Sequence, residues 1–153
     1  MDSPAKAFSV KISTIAHATE DPEKVAQALR NLCLGETAMG STMNRAKGHY
    51  GNEIVTLVFT IRNAKIVDSF LQNTWDSFSQ LDRTEIYSSL TSRIDSTGTL
   101  FLRIDKQEAV KGRMRLQNTD PIKIGISFRT MSSRHNEFVD DIRRTLEEIQ
   151  GPD

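Results

Sequence analysis

Three side chains that could bind a metal ion or transfer a proton stand within five positions of the sequence: His17, Glu20 and Asp21. Imidazole and carboxylate groups ligate zinc and act as general acids and bases when a fold brings them together. The same residues also suit the start of a helix. Asp21 can accept hydrogen bonds from the first free amides, and Pro22 fits the first helical position, where no donor is needed. We favour this capping role and predict neither a metal site nor a catalytic centre here.

A second polar run, Asp105-Lys106-Gln107-Glu108, follows a stretch in which apolar residues alternate with polar ones. A phosphate-binding loop would need glycines and a following helix, and the pattern predicts neither. We therefore predict a polar turn between two strands, with an ion pair inside it.

The chain has one cysteine, Cys33, beside Leu32. A single thiol can form neither an internal disulfide nor a cysteine-based metal site, which favours a reducing, cytoplasmic location. We expect Cys33 to be a small buried apolar residue, and we expect no cofactor.

The chemistry that the sequence does favour is contact with phosphate groups. Between Thr99 and Phe128, apolar and basic residues alternate, which predicts half-buried strands with one apolar and one basic face. Lys and Arg on such a face neutralise phosphates, and Arg adds bidentate hydrogen bonds. The predicted contacts are Lys11, Arg103, Arg113, Arg115, Lys123 and Arg129, with an extension through a turn by Arg45, Lys47, His49 and Tyr50.

The overall charge hides a strong local imbalance. The 153 residues contain 20 basic and 20 acidic side chains, and thus carry no net charge. Between Thr97 and His135, however, eight basic residues face three acidic ones, whereas from Asn136 onward two basic residues face six acidic ones. Segregated charge creates a local field that a net count does not show. The alternative is that the basic residues form an ordinary solvated face, balanced locally by Asp105 and Glu108.

Hydrophobic periodicity predicts the elements that carry these residues. The predicted order is strand, helix, weak strand, strand, two helices, three strands and a final helix. The predicted segments are a strand from Phe8 with Phe8, Val10 and Ile12 facing inward, a helix from Pro22, a weak strand at Ser41–Lys47, a strand at Glu53–Arg62, a helix at Asn63–Leu81, a helix begun by an Asp82–Glu85 capping box, strands around 100–104, 114–116 and 122–128, and a helix through Ile149.

These elements indicate a single α+β domain over residues 1–153, with an ordered core at about 7–150. Consecutive strands and segregated helices favour one mostly antiparallel sheet with helices on one face, and polar alternation requires the other face to be open. No apolar run approaches the roughly 20 residues of a membrane helix, so no membrane contact is expected.

Four segments of the chain resemble one protein family: HATEDPEKV (17–25), GHYGNEI (48–54), LRIDKQEAVKG (102–112) and DPIKIGISF (120–128). They are similar to archaeal RNA-binding proteins described as exosome-associated, whose fold is like that of the large-subunit ribosomal protein that binds 5S RNA. The resemblance implies that fold, a role in RNA binding and no catalytic signature. Its motif residues are His17, Thr19, Glu20, Asp21, Gly51, Asn52, Asp105, Lys106, Gln107 and Glu108.

The sequence leaves three functions in competition. The favoured one is a non-enzymatic protein that contacts the backbone of structured or double-stranded RNA, as an accessory to an RNA-processing complex or to ribosome assembly. The second is a protein-interaction or self-associating module, for example a homodimer, that uses the acidic last helix or a strand edge. The third, a small hydrolase or metal-dependent enzyme built around His17 and the nearby carboxylates, is the least favoured.

Overall fold

The structure is a computed structural model that describes residues 4–33, 40–47 and 53–150. The described residues form five strands and six helices. They are β1 (Ala5–Ala16), α1 (Pro22–Leu32), β2 (Gly40–Lys47), β3 (Glu53–Ile61), α2 (Ala64–Ser77), α3 (Gln80–Ser88), α4 (Leu90–Arg93), β4 (Thr99–Ile104), α5 (Lys106–Val110), β5 (Ile122–Thr130) and α6 (His135–Gln150).

The five strands form one antiparallel sheet in the order β2-β3-β1-β5-β4. The long strand β1 lies in the middle and pairs with β3 on one side and β5 on the other. The α+β prediction with a single antiparallel sheet is therefore confirmed.

One face of the sheet is covered by helices and forms the core. Alternate residues of the strands are fully buried there, including Val10, Leu57, Ile104 and Ile124. Trp75 of α2 lies among them and contacts the rings of neighbouring aromatic residues edge-on. Burial of large apolar side chains of this kind supplies the main driving force for folding. None of the described helices is long and apolar enough to cross a lipid bilayer.

The opposite face has exposed or half-buried side chains, and we call it the open face. Its positions follow from the cross-strand pairing, because directly paired residues point to the same side of a sheet. The open face comprises Lys6, Phe8, Ser9, Lys11, Ser13 and Ile15 of β1, Ile54, Thr56, Val58 and Thr60 of β3, Thr99, Phe101 and Arg103 of β4, and Lys123, Gly125, Ser127 and Arg129 of β5.

The predicted strand around Met114 and Leu116 is wrong. A five-residue helix, α5, follows β4, and only Leu116 pairs with β4, through a single bridge to Ile104. Asp105 caps this helix by accepting hydrogen bonds from two backbone amides, which a period of two in the sequence does not reveal. The predicted polar turn at 105–108 is accordingly the start of a helix.

The predicted helix boundaries near Asp82 also need correction. The helix expected to reach Leu81 ends at Ser77, and α3 begins at Gln80 with Ser79 as its cap. The Ser79 hydroxyl accepts from the amide of Asp82 at 3.1 Å, so Asp82 is not the cap. Its carboxylate instead accepts from the amide of Leu116 at 3.1 Å and fixes the segment between α5 and β5.

Phe8 is the third departure from the sequence pattern. The register of β1 against β5 shifts between Ala7 and Ser9, so that Phe8 is an extra residue in a β-bulge. Ala5 and Ala7 are buried before the bulge, and Val10 and Ile12 are buried after it. Phe8, predicted to face the core, therefore lies on the open face, with 37% of its surface exposed.

Candidate nucleic-acid interface

The open face carries two pairs of positive charges that stand directly opposite each other across neighbouring strands. Arg103 of β4 pairs with Lys123 of β5, and Lys6 of β1 pairs with Arg129 of β5. Lys11 lies between these rows, opposite Gly125. Four of the predicted contacts, Lys11, Arg103, Lys123 and Arg129, thus share one surface.

No carboxylate balances these charges within the described strands. None of the open-face positions is Asp or Glu, and none of its five basic side chains makes an ion pair with a residue that the structure describes. Asp105 and Glu108, the proposed local balance, are engaged elsewhere: Asp105 caps α5, and Glu108 lies 3.8 Å from Arg113. Because like charges directly opposite each other destabilise a sheet, this arrangement costs folding stability and favours binding of an anion.

Two aromatic rings accompany the basic residues. The guanidinium carbon of Arg129 lies 4.5 Å from the centre of the Phe8 ring, within the range of a cation–π contact. Phe101 lies over Gly125, where an added Cβ would stand 3.3 Å from its Cε1 atom. Both rings are partly open to solvent.

A cavity of about 630 Å³ opens at the bulge end of the open face. Lys6, Phe8, Arg62 and Arg129 line it together with small residues of β1, α2 and β5. The sequence analysis missed Lys6 and Arg62. A pattern with period two cannot find Lys6, because the bulge at Phe8 changes which positions of β1 face outward.

The remaining predicted contacts do not join this surface. Arg45 and Lys47 of β2 pair with Val55 and Glu53, on the parity of the covered face, and Arg45 forms an ion pair with Glu53. Arg45 lies near the start of α1. The proposed extension of the basic surface through Arg45 and Lys47 is therefore wrong.

Arg113 and Arg115 are exposed in the segment between α5 and β5, outside any strand. Arg113 points toward Glu108, and the carbonyl of Arg115 accepts from the amide of Asp105 at 2.8 Å. Their predicted place on a third strand is wrong because that strand is absent. His49, Tyr50, Gly51 and Asn52 lie outside the described residues.

The family-like motifs meet at a different point, the end of β1. His17 Nε2 lies 2.9 Å from Asp120 Oδ1, and Lys106 Nζ lies 3.0 Å from the same oxygen and 3.2 Å from Glu20 Oε1. Lys106 also donates to the carbonyl of Ile15 and is only 10% exposed. We call His17, Glu20, Lys106 and Asp120 the Lys106 cluster; it connects β1, the entry to α1, the start of α5 and the segment before β5.

The Lys106 cluster contains a possible ligand set for a metal ion. His17, Glu20 and Asp120 each offer one ligand atom, and these atoms lie within 4.8 Å of one another. The ammonium of Lys106, however, already supplies a positive charge to both carboxylates. The geometry therefore fits a structural cross-link better than a cation site. Asp21, the third residue proposed from sequence, instead caps α1 by accepting from the amide of Glu23 at 2.9 Å, as predicted.

Asp120 has an unusual backbone and a shifted acidity. Its φ of 46° lies in the left-handed region, which few residues other than glycine and asparagine adopt. Burial alone would raise the pKa of Asp120, but hydrogen bonds and charge from His17 and Lys106 outweigh it and lower that pKa. The sequence analysis missed Asp120, because its partner His17 lies 103 positions away.

The other residues of the family-like motifs make local contacts, or make no contact that would define a role. The amides of Gln107 and Glu108 donate to Asp105 at 2.8 Å and 3.0 Å. Thr19 is exposed in the turn between β1 and α1. Cys33 is buried, as predicted, and burial raises the pKa of its thiol to about 12.

A family described as RNA binding matches residues 9–128 of the chain. The chain belongs to this RNA-binding family. The RNA-binding protein PAB1135 of Pyrococcus abyssi is 30% identical to this chain over 146 residues, which cover 93% of this chain and 95% of that protein. The matched range includes Lys11, Arg103 and Lys123 of the open face and the whole of the Lys106 cluster.

Solved structures of archaeal proteins from the group designated DUF54 share the fold of this family member. Protein AF2318 of Archaeoglobus fulgidus is 32% identical, with a TM-score of 0.79 over 92% of this chain and 99% of that one. A DUF54 protein of Methanothermobacter thermautotrophicus is 28% identical, with a TM-score of 0.76 over 92% of this chain and 98% of that one. The archaeal part of the resemblance is thereby confirmed.

Proposed function

We propose that this protein binds the phosphate backbone of structured RNA through the basic residues of the open face, without catalysing a reaction. The family description and the name of the P. abyssi relative support RNA as the ligand. The contacts that we assign are Lys6, Lys11, Arg103, Lys123 and Arg129, with Arg62 at the margin.

The observation that carries this proposal is the pairing of like charges. Arg103 stands opposite Lys123, and Lys6 stands opposite Arg129, with no acid on the same face of the described strands. The two rows are six residues apart along β5, which corresponds to about 20 Å. A strand of RNA presents several phosphates over such a length, and their charge would relieve the repulsion between the paired cations.

Backbone contact makes the affinity strongly dependent on salt, because each neutralised phosphate releases counterions. If most of the five open-face cations contact phosphates, log K should fall with log salt concentration at a slope of about −3 to −4. Titration of a labelled hairpin RNA at several KCl concentrations, followed by fluorescence anisotropy, measures this slope. A slope near zero, or no binding, contradicts the proposal.

The deciding variant is Arg103→Gln/Lys123→Gln, with Lys24→Gln/Arg144→Gln as its control. The control removes the same charge from exposed residues of α1 and α6. We expect the first variant to weaken hairpin binding about tenfold at 100 mM salt and to reduce the slope by about 1.5, and the control to change affinity less than twofold. Equal losses in both variants would mean that overall charge, and not the open face, governs binding.

An accessory role in RNA processing or ribosome assembly, in the cytoplasm, is part of the same proposal and follows from the family resemblance. Self-association is the competing function. It is favoured by β2, whose outer edge has no neighbour among the described strands. Sedimentation velocity at several protein concentrations, with and without the hairpin, distinguishes RNA binding from self-association. Association that increases with protein concentration and is the same with and without RNA supports a dimer.

A further inference from the structure

A cleft of about 350 Å³ lies beside β4, where the open face meets the helices. Its volume is at the lower end of the range of small-ligand sites. The lining residues are Ser89, Ser92 and Arg93 near α4, Phe101 and Arg103 of β4, and Asn118 of the segment before β5. The cleft thus combines two guanidinium groups, an aromatic ring and three small polar side chains.

Arg93 and Arg103 both line this cleft without an acidic partner. Neither makes an ion pair with an acid in the described part of the chain. Arg93 uses its Nε to donate to the Ser89 hydroxyl at 2.6 Å, and no described residue accepts from its terminal nitrogens. Burial lowers the pKa of Arg93, the negative charge of Glu85 raises it, and the positive charge of Arg103 lowers it further. Guanidinium donors gathered in this way suit a phosphate group, whose oxygens accept several hydrogen bonds.

Phe101 lines the same cleft with a partly exposed ring. Its surface is 47% exposed, so the ring is accessible to a ligand. One part of the ring rests over Gly125, where the missing side chain leaves room. Exposed aromatic rings on antiparallel sheets form stacking platforms for unpaired bases in RNA-binding modules. A purely structural role, covering the glycine, would explain the position of the ring but not the two arginines without acids beside it.

We propose that this cleft binds one unpaired nucleotide of RNA, with its base stacked on Phe101 and its phosphate between Arg93 and Arg103. The proposal rests on the RNA-binding function proposed above and deepens it. The bases of a continuous duplex are stacked on each other and cannot reach Phe101, so the ligand needs a loop, a bulge or a free end. Ser92 and Asn118 are then in place to bond the sugar hydroxyl or the base edge.

The test compares a single-stranded oligouridine with a blunt RNA duplex of equal length, by fluorescence anisotropy at 100 mM KCl. The variant Phe101→Leu keeps an apolar side chain but removes the aromatic face. We expect it to weaken single-strand binding about tenfold and to change duplex binding less than twofold. Phe101→Trp should retain single-strand affinity, because the larger ring still stacks. Fluorescence of the buried Trp75 monitors the fold of Phe101→Leu, and circular dichroism monitors that of Phe101→Trp.

Arg93→Gln tests the proposed phosphate contact, because Arg93 lies on α4 and not on a strand of the open face. It should weaken single-strand binding about fivefold and reduce the salt slope by about 0.7. Unchanged single-strand affinity in both Phe101→Leu and Arg93→Gln, or equal losses on both RNAs, overturns the nucleotide site while the proposed function stands. If the unmodified protein binds neither RNA in a salt-dependent way, the proposed function itself fails.

Discussion

Lys106 and Lys123 lie in the same domain in opposite electrostatic settings. Lys106 is nearly buried and contacts two carboxylates and a backbone carbonyl, so that its charge is fully compensated inside the protein. Lys123 is exposed, stands opposite Arg103, and has no described acid beside it. The first arrangement connects four segments of the chain, whereas the second costs stability and gains something only when an external anion arrives. Charge that is satisfied internally indicates a structural role, and charge that is left unsatisfied on one surface indicates a binding role.

The largest expected effect is a loss of folding stability when Lys106, whose charge is compensated, is replaced. Lys106→Met keeps the length of the side chain but leaves Glu20 and Asp120 without their ammonium partner. We expect a loss of about 2 kcal/mol in the free energy of unfolding, less than for a fully buried pair because both carboxylates are partly exposed. Urea unfolding followed by the fluorescence of Trp75, the single tryptophan, measures it. The control Lys111→Met removes an exposed lysine 4.0 Å from Glu108 and should cost less than 0.5 kcal/mol.

We also expect the residues that stabilise the fold to differ from those that bind RNA. Lys106→Met should bind hairpin RNA with unchanged affinity as long as it remains folded. A loss of affinity as large as that of Arg103→Gln/Lys123→Gln would show that the Lys106 cluster takes part in RNA binding and does not serve folding alone.

A smaller effect is expected from pH acting on Asp120. Its pKa is lower in the folded protein than the ordinary value of 3.8, so the ionised form stabilises the fold above that value and the contribution is lost as pH falls below it. Asp120→Asn removes the charge, and asparagine tolerates the left-handed backbone. The free energy of unfolding of the wild type should exceed that of Asp120→Asn by about 1 kcal/mol at pH 6. This difference should shrink toward pH 3. A difference that is independent of pH between 6 and 3 would contradict this account.

The smallest effect concerns the unbalanced side. Lys6→Gln removes one member of the pair with Arg129 and should raise the free energy of unfolding by a few tenths of a kcal/mol. The same change should weaken hairpin binding two- to threefold, because one phosphate contact is lost. Lys24→Gln is the matched control for both measurements. If Lys6→Gln lowers the free energy of unfolding, Lys6 stabilises the fold, although it makes no ion pair with a described acid.

Much of the sheet could be predicted because its strands follow the alternation that burial on one face imposes. Val55, Leu57 and Phe59 of β3 mark the covered face, and Lys123 of β5 marks the open one. The helix start at Asp21 was predictable too, since a capping carboxylate followed by proline acts within a few residues.

The failures have local physical causes that alternation does not record. One extra residue, Phe8, moves Lys6 onto the open face, and one hydrogen-bonded cap, Asp105, starts a helix where a turn was expected. The contact between His17 and Asp120 joins residues that only the completed sheet brings together. The arginines near Met114 and Leu116 were misplaced because two apolar residues at a spacing of two resemble a strand.

The number of residues in β1 at the bulge determines which of its side chains face outward. Because β1 pairs with β5 on both sides of Phe8 and with β3 from Val10 onward, the residues before the bulge and those after it each have a fixed register. Gaining a single residue between Ala5 and Val10 would widen the bulge or turn Lys6 under α6, where Thr145 now bonds to the backbone of Ala5, and would then turn an alanine outward. Deletion of Phe8 would restore regular alternation and leave Lys6 on the open face, whereas an insertion there would exchange a charged corner of the surface for a defect in the core.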